Sequence, residues 1–390
     1  MMPDFLRFRD WLVAETLPLW RDDGYDALCG GFHEKLGFDR APITGEGKRI
    51  LVQARQCFTF SAYAGALDGA GAAARSGFDF MTAYGRHPDG GWRHRVARDG
   101  APLDDTRDLY DQAFAIFASA AMIATCGRAD ARDIADQTLD YLDRERSHPA
   151  GGYTEAVLPD GRIADTPRRQ NPHMHLFEAL LALYEAAGDA EYLGRAERLF
   201  ALARSKFIVD GTLREYFTDA LTPMPGPKGR IVEPGHHMEW VWLLHRYAAL
   251  ADDAGALAIA EPLYDFALAH GYDQGSGGLF DEVTADGSVH RADRRLWPQT
   301  EALRAHAVRW ERYEDTAARA RIDSGIATLM RDHLTGPRGG WQEHIHADGE
   351  NFYGSLPASS LYHLSSAASE VERVLTAGGE MPAEKQKVDK

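Results

Sequence analysis

A histidine and a glutamate stand at the start of an apolar stretch, Glu233-Pro-Gly-His-His-Met-Glu-Trp-Val-Trp-Leu-Leu244. Pro234 suits an early helical position, where its missing N–H has no partner to lose. His236 and Glu239 are three residues apart and therefore share one face of a helix. The unbroken apolar run that follows predicts a helix enclosed on most sides. The pattern indicates a polar site on a packed floor, although a buried structural histidine beside a capping glutamate explains the same residues.

Two further histidines begin other apolar stretches. His175 lies in Asn171-Pro-His-Met-His-Leu, and His363 follows Tyr362. Histidine titrates near neutral pH and is suited to moving protons to and from carbon or a sugar hydroxyl. If these helix starts face one basin, His175, His236 and His363 form an acid/base constellation.

Carboxylates and tryptophans allow a second chemistry, glycoside hydrolysis, which needs a pair of carboxylates. The candidate acids are Asp111, Glu178, Glu239, Glu301 and Glu343. Trp92, Trp240, Trp297 and Trp341 offer stacking faces for a sugar in either chemistry, although tryptophans also serve as core residues. Arg55 stands among apolar residues and needs an acceptor, either a structural partner or a ligand.

A metal or nucleophile is not expected. His173 and His175 are two apart, about 200° around a helix, so they cannot chelate one ion from a helix. His236 and His237 are adjacent and face the same difficulty. The sequence has no Gly-x-Ser-x-Gly motif and no cysteine beside a histidine. We therefore predict no metal and no cofactor.

A sixfold repeat supplies the elements that position these residues. Gly-Gly-aromatic or related loops have their third residue at 32, 92, 153, 213, 279 and 341, at intervals of 60, 61, 60, 66 and 62. An amphipathic helical pattern precedes each loop, and a short extended piece follows it. Asp-Gly steps at 99, 160, 286 and 348 mark hairpin tips. Since repeats of this kind stack into one continuous fold, the length of the chain does not imply several domains.

A more apolar helix follows each hairpin. These inner helices are predicted at roughly 49–67, 108–126, 172–187, 235–250, 298–312 and 357–372. Six helical hairpins with an apolar inner set predict an all-α fold, an (α/α)6 barrel with short β-hairpins at one end. We predict one catalytic domain, 1–377, and a disordered tail, 378–390; an open helical solenoid is the alternative.

The composition of the chain argues against some classes of binding partner and indicates its compartment. The 390 residues carry a net charge of −16, which argues against nucleic acid and anionic membranes. Three widely spaced cysteines, without a C-x-x-C pair, fit a reducing compartment. The N-terminal residues have no apolar core of a signal peptide. We expect a cytoplasmic protein that acts on a small molecule, as a monomer or homo-oligomer.

Five motifs in order resemble the N-acylglucosamine 2-epimerase superfamily across residues 10 to 370. They are Gln53-Ala-Arg-Gln, Asn171-Pro-His-Met-His-Leu-Phe-Glu-Ala, Pro234-Gly-His-x-x-Glu-Trp, Trp297-Pro-Gln-Thr-Glu-Ala and Tyr362-His. The third motif and Pro357-Ala-Ser-x-x-Tyr-His are most similar to the D-mannose isomerase branch, which a sulfoquinovose isomerase also resembles. The family fold is the same (α/α)6 barrel.

The resemblance implies roles for eight residues. His236 and His363 are implied as the acid/base pair, and Arg55, Tyr110, Asn171, His175, Glu239 and Trp297 as the lining of a monosaccharide site. We expect His363 to move the proton between C2 and C1 through a cis-enediol. We expect His236, steered by Glu239, to open the ring, although the two roles can be exchanged.

The predicted activity is cofactor- and metal-independent isomerisation of D-mannose to D-fructose, with D-lyxose and D-xylulose as a further pair. Sugar 2-epimerisation or sulfoquinovose isomerisation stays open within the superfamily. Outside it, an α/α-barrel glycoside hydrolase and a non-enzymatic helical scaffold stay open. The sequence contains no evident phosphate-binding loop, which favours an unphosphorylated sugar.

Overall fold

Helices in two concentric sets build the protein, whose computed structural model describes residues 3–350 and 354–379. The inner set comprises α3 (Ile50–Ala62), α5 (Leu109–Cys126), α7 (Gln170–Ala187), α9 (Pro234–Ala251), α11 (Leu296–Tyr313) and α13 (Leu361–Ala377). The outer set comprises α1 (Pro3–Trp11), continued through a π-helical turn (Leu12–Thr16) into α2 (Leu17–Asp22), then α4 (Ala70–Tyr84), α6 (Ala129–Tyr141), α8 (Ala190–Leu202), α10 (Gly255–His270) and α12 (Thr316–Thr328). This arrangement confirms the predicted barrel of helical hairpins. Residues 380–390 of the predicted tail lie outside the described residues.

The inner helices form a closed ring. Each packs on the next inner helix, and α13 packs back on α3; the first five also pack on the outer helix that follows them, α4, α6, α8, α10 and α12. At this junction Nε2 of Gln56 donates to the carbonyl of Ala358 at 2.8 Å, and the Thr59 and Ser365 hydroxyls lie 3.2 Å apart. The contact between first and last inner helices excludes the open solenoid.

Short strands fill one end of the barrel. They are β1 (Lys35–Gly37), β2 (Pro42–Ile43), β3 (Lys48–Arg49), β4 (Arg95–Val96), β5 (Pro102–Asp104), β6 (Arg107–Asp108), β7 (Ala156–Val157), β8 (Arg168–Arg169), β9 (Ile208–Val209), β10 (Thr212–Leu213), β11 (Tyr216–Phe217), β12 (Ile231–Val232), β13 (Glu282–Thr284), β14 (Val289–Arg291), β15 (Arg294–Arg295), β16 (His344–Ile345) and β17 (Ser355–Pro357). The strand that enters an inner helix pairs antiparallel with the strand after the next glycine loop: β3–β4, β6–β7, β8–β11, β12–β13, β15–β16 and β17–β1. These six pairs form a second closed ring, which holds the starts of the inner helices together.

Five of the six glycine loops are held by a polar side chain from the inner helix that follows them. In the second repeat the amide of Gln112 accepts from Trp92 N–H at 2.7 Å and donates to its carbonyl at 2.8 Å. Gly91 has φ +74°, and a Cβ there would lie 2.5 Å from the ring of Tyr141. The equivalent loop-holding residues are Gln53, His173, His237 and Gln299.

This equivalence assigns two of the histidines to structure. Nε2 of His173 accepts from Tyr153 N–H, and Nε2 of His237 accepts from Leu213 N–H. Burial lowers the pKa of His173 to about 3 and that of His237 to about 4, so both stay neutral. Both histidines stand where other repeats carry glutamine.

Among the described residues, α5 alone is long and apolar enough to cross a membrane. Its buried share, 67%, is what a core helix of a barrel shows, so composition here is weak evidence for a membrane span.

Candidate active site

A cavity of about 280 Å³ opens at the strand end of the barrel, where the inner helices begin. Its wall contains all eight predicted site residues: Arg55, Tyr110, Asn171, His175, His236, Glu239, Trp297 and His363. It also contains seven residues outside that predicted set: Arg49, Leu51, Glu233, Arg295, Glu343, Ser359 and Ser360. A larger cavity, about 350 Å³, lies between α10 and α12, but none of the predicted site residues lines it.

His236 is held by two carboxylates. Its Nδ1 lies 3.0 Å from Oε2 of Glu215 and 3.8 Å from Oε2 of Glu233. Burial alone lowers the pKa of His236, but Glu215 and Glu233 outweigh it and raise this pKa to about 9. His236 is therefore protonated at neutral pH. The expectation that Glu239 steers this imidazole was wrong, because the carboxylate at its Nδ1 is that of Glu215.

His363 has the opposite electrostatic environment. Its Nδ1 lies 2.8 Å from Oε1 of Glu301. Burial and the nearby Arg55 guanidinium nevertheless lower the pKa of His363 well below its ordinary value. His363 is therefore neutral at pH 7 and can accept a proton.

The indole of Trp297 connects the two imidazoles. Its ring centre is 4.8 Å from that of His236 and 5.8 Å from that of His363. A protonated and a neutral imidazole thus share one wall of a single cavity. This is the arrangement that a general acid and a general base require.

Glu239 lies on the neighbouring wall with neither carboxylate oxygen hydrogen-bonded among the described residues. It is buried, and its Oε1 is 3.8 Å from Nε2 of His175. Burial raises the pKa of Glu239 well above its ordinary value, and the nearby Glu301 and Glu178 carboxylates add to this. A carboxyl in these surroundings holds its proton and can donate it to a ligand oxygen.

Arg55 and Asn171 complete the polar wall. Nη1 of Arg55 donates to the Ser359 carbonyl at 3.1 Å, and Nη2 donates to the Tyr110 hydroxyl at 2.8 Å. Both acceptors are neutral, so the guanidinium charge can stabilise negative charge that develops in the cavity. Oδ1 of Asn171 is buried without a hydrogen bond among the described residues, which leaves it available for a ligand hydroxyl.

Two groups of side chains have the spacing of metal ligands. They are His175 with Glu178 and Glu239, and His236 with Glu215 and Glu233; within each group the ligand atoms lie within 4.8 Å of one another. The spacing of histidines in the sequence does not indicate either group, because each group contains one histidine and two glutamates. These are the residues at which metal dependence has to be tested.

Glu215 is a candidate site residue that the sequence motifs did not indicate. It is the second residue after Leu213 of the degenerate glycine loop, and the same position carries Glu34, Glu155, Asp281 and Glu343 in other repeats. In the first, third and fifth repeats this acid binds an arginine that precedes the inner helix. Only in the fourth repeat does it bind a histidine. Aligning the repeats two residues past each loop would have found it.

The family model of N-acylglucosamine 2-epimerase (GlcNAc 2-epimerase) matches residues 30–367. The chain belongs to this family.

Two curated relatives of this GlcNAc 2-epimerase family member are most informative. The mannose-6-phosphate isomerase of Rhizobium meliloti (strain 1021) is 36% identical, over 94% of this chain and 96% of the relative. The D-mannose isomerase of Thermobifida fusca is 29% identical, over 79% of each. A crystal structure of D-mannose isomerase superposes with a TM-score of 0.88 at 22% identity, covering 96% of this chain and all of the other, and shows the same fold. The chain is a sugar isomerase or epimerase of this superfamily.

Proposed function

We propose that this protein is a metal-independent aldose–ketose isomerase that interconverts D-mannose and D-fructose. The observation that carries the proposal is a pair of imidazoles in one cavity, His236 with two carboxylates at its Nδ1 and His363 beside the Arg55 guanidinium. His236 has a pKa of about 9, and the pKa of His363 is lowered. Proton transfer between adjacent carbons requires one group that accepts a proton and another that donates one.

The reaction begins with ring opening. Protonated His236 donates to the ring oxygen as the C1–O5 bond breaks, and the C1 hydroxyl gives its proton to His236, which yields the aldehyde and restores the protonated imidazole. We expect Glu239, Asn171 and Tyr110, which line the cavity, to bind sugar hydroxyls, and Trp297 to offer its face to the sugar chain.

Isomerisation then exchanges protons on carbon and on oxygen. Neutral His363 removes the C2 proton while O1 takes a proton from His236, which gives the cis-enediol. His363 returns its proton to C1 as O2 gives a proton back to His236, leaving the ketone at C2. Arg55 stabilises the oxygen on which negative charge develops.

Epimerisation at C2 is the second candidate, because the cavity has two imidazoles. If His236 reaches the face of the enediol opposite His363, it can reprotonate C2 and give glucose from mannose. Sulfoquinovose isomerisation would use the same proton transfers. Family membership favours all three over a glycoside hydrolase or an inert scaffold.

Proton NMR of D-mannose in D₂O with the enzyme and EDTA tests the proposal. We expect fructose to accumulate, with deuterium at C1 wherever the proton on His363 exchanges with solvent. Glucose with deuterium at C2 would identify an epimerase instead. Loss of activity in EDTA that added metal restores would contradict metal independence. No turnover of mannose, lyxose, glucose or sulfoquinovose would overturn the whole proposal.

His363→Asn and His236→Asn identify the roles in the same assay. We expect each to lower kcat by at least about 10²-fold, the usual cost of losing a general acid or base. His363→Asn should also abolish exchange of the C2 proton, whereas His236→Asn should retain part of that exchange when supplied with open-chain substrate. A variant with the wild-type rate would remove its residue from the mechanism.

A further inference from the structure

A buried arginine links the carboxylates behind two of the site histidines. Arg304 is 2% exposed and is absent from the cavity wall. Its Nη1 donates to Oε2 of Glu301 at 2.7 Å, and its Nη2 donates to Oε1 of Glu178 at 3.3 Å. The guanidinium also stacks on Trp242, 3.6 Å from the ring centre. Arg304 therefore lies beneath the floor of the site.

Each of these two carboxylates holds one imidazole by its Nδ1. Glu301 lies 2.8 Å from Nδ1 of His363, and Glu178 lies 3.0 Å from Nδ1 of His175. Tyr362 donates its hydroxyl to Glu178 at 2.7 Å. An ionised carboxylate can only accept hydrogen bonds, so it fixes the Nδ1–H tautomer and leaves Nε2 with its lone pair.

Ionisation of Glu301 in this position needs a cation. Burial raises the pKa of Glu301, and the Glu178 charge adds to that, while the Arg304 guanidinium opposes both. Without Arg304 the two buried carboxylates would lie near each other with no cation beside them, and one of them would take up a proton. If Glu301 were protonated, it would donate to Nδ1 of His363 and place the imidazole proton on Nε2.

We infer that Arg304 is a positioning residue that keeps Glu301 and Glu178 ionised and thereby holds His363 in the tautomer that can act as a base. The role of His363 as base rests on the proposed function; the tautomer does not. Other charged or titratable groups face this cluster from every surrounding inner helix: Arg55 on α3, Tyr110 on α5, His236 and Glu239 on α9, and Tyr362 and Glu370 on α13.

Arg304→Met tests this inference, because methionine keeps apolar contact with Trp242 and removes the charge. At pH 7 we expect kcat/KM to fall by about 10²-fold or more, since a base in the wrong tautomer loses general base catalysis. The acidic limb of the pH profile should move to higher pH, because the extra proton on the Glu301–His363 pair has to leave before Nε2 can act. Arg304→Lys, which keeps the charge but not the two-pronged hydrogen bonding, should show a smaller shift.

Arg309→Met is the matched control. Arg309 is on the same helix, pairs with Glu261 at 2.6 Å and stacks on Tyr264, facing away from the site. It should lose stability without a shift of the acidic limb. An unmoved limb in folded Arg304→Met, or in Arg304→Lys if the methionine variant does not fold, would overturn the inference.

Nitrogen-15 NMR of the histidines separates this inference from the proposed function. In the wild type at pH 7 we expect the His363 signals of the Nδ1–H tautomer, and in Arg304→Met those of the Nε2–H tautomer. This measurement needs no substrate, so it still decides the role of Arg304 if mannose is not turned over. An Nε2–H tautomer in the wild type would refute the inference.

Discussion

At the scale of single residues, the site depends on two histidines whose protonation is set by their neighbours. His236 is charged because Glu215 and Glu233 surround its Nδ1. Since the acid form exists below its pKa of about 9, we expect kcat/KM to fall as pH rises through 9. Glu215→Gln removes the nearest of these charges and should move that alkaline limb to lower pH, as a pH-rate profile will show.

Glu155→Gln is the control for this prediction. Glu155 occupies the equivalent position in the third repeat, but its carboxylate binds the Nε and backbone N–H of Arg169 instead of a histidine. The alkaline limb of the pH–rate profile of Glu155→Gln should stay near pH 9. An alkaline limb that stays near 9 in Glu215→Gln as well would assign that limb to another group.

The site residues named from the sequence line one cavity because each motif marks the start of an inner helix. The motifs themselves did not show the Nδ1 partners of His236 and His363. Glu215 is 21 residues before His236 and lies in the same repeat, so comparison of the repeats indicates it. Glu301 is 62 residues before His363, and this contact depends on how neighbouring repeats pack against each other, which the spacing within one repeat does not contain.

At the level of helices and loops, the role of His173 in holding its glycine loop can be tested by substitution. His173→Gln should preserve stability and activity, because Gln53, Gln112 and Gln299 hold the equivalent loops with the same geometry. His173→Ala leaves the Tyr153 N–H unpaired and should lower the free energy of unfolding by about 1–3 kcal/mol. Denaturant unfolding of the two variants measures the difference. Equal losses in both, or a large loss of kcat in His173→Gln, would show that this histidine does more than hold a loop.

Helix order and type followed from the repeat, and the ends of α5, α7, α9 and α11 lie within one residue of the predicted ends. The first inner helix was predicted to run to 67 and ends at Ala62. Several outer helices end in a π-helical turn, as at Leu142–Arg146, where Arg146 reaches the Arg107 carbonyl and Thr154. These endings are set by contacts with the neighbouring repeat. A single-repeat pattern therefore predicts most inner-helix ends but not the π-helical last turns of the outer helices.

At the level of the whole molecule, the charge favours a free sugar over a phosphorylated one as the proposed substrate. The chain carries a net charge of −16, which repels a dianion. Two of the three arginines in the cavity wall are paired with acids: Arg49 with Glu34, and Arg295 with Asp281 and Glu233. Arg55 is left as the one wall arginine without a carboxylate partner among the described residues. Because arginines bind phosphate through their charge, a wall in which two of three arginines are already paired with acids should favour an uncharged sugar.

We therefore expect kcat/KM for D-mannose to exceed that for D-mannose 6-phosphate by at least about tenfold, the factor that 1.4 kcal/mol of unfavourable electrostatics produces. Coupled assays with both sugars at several ionic strengths measure this. Added salt screens the repulsion, so it should raise the rate with the phosphate ester and leave the rate with mannose nearly constant. A preference for the phosphate ester that weakens with salt would show instead that Arg49, Arg55 or Arg295 leaves its present partner to bind phosphate.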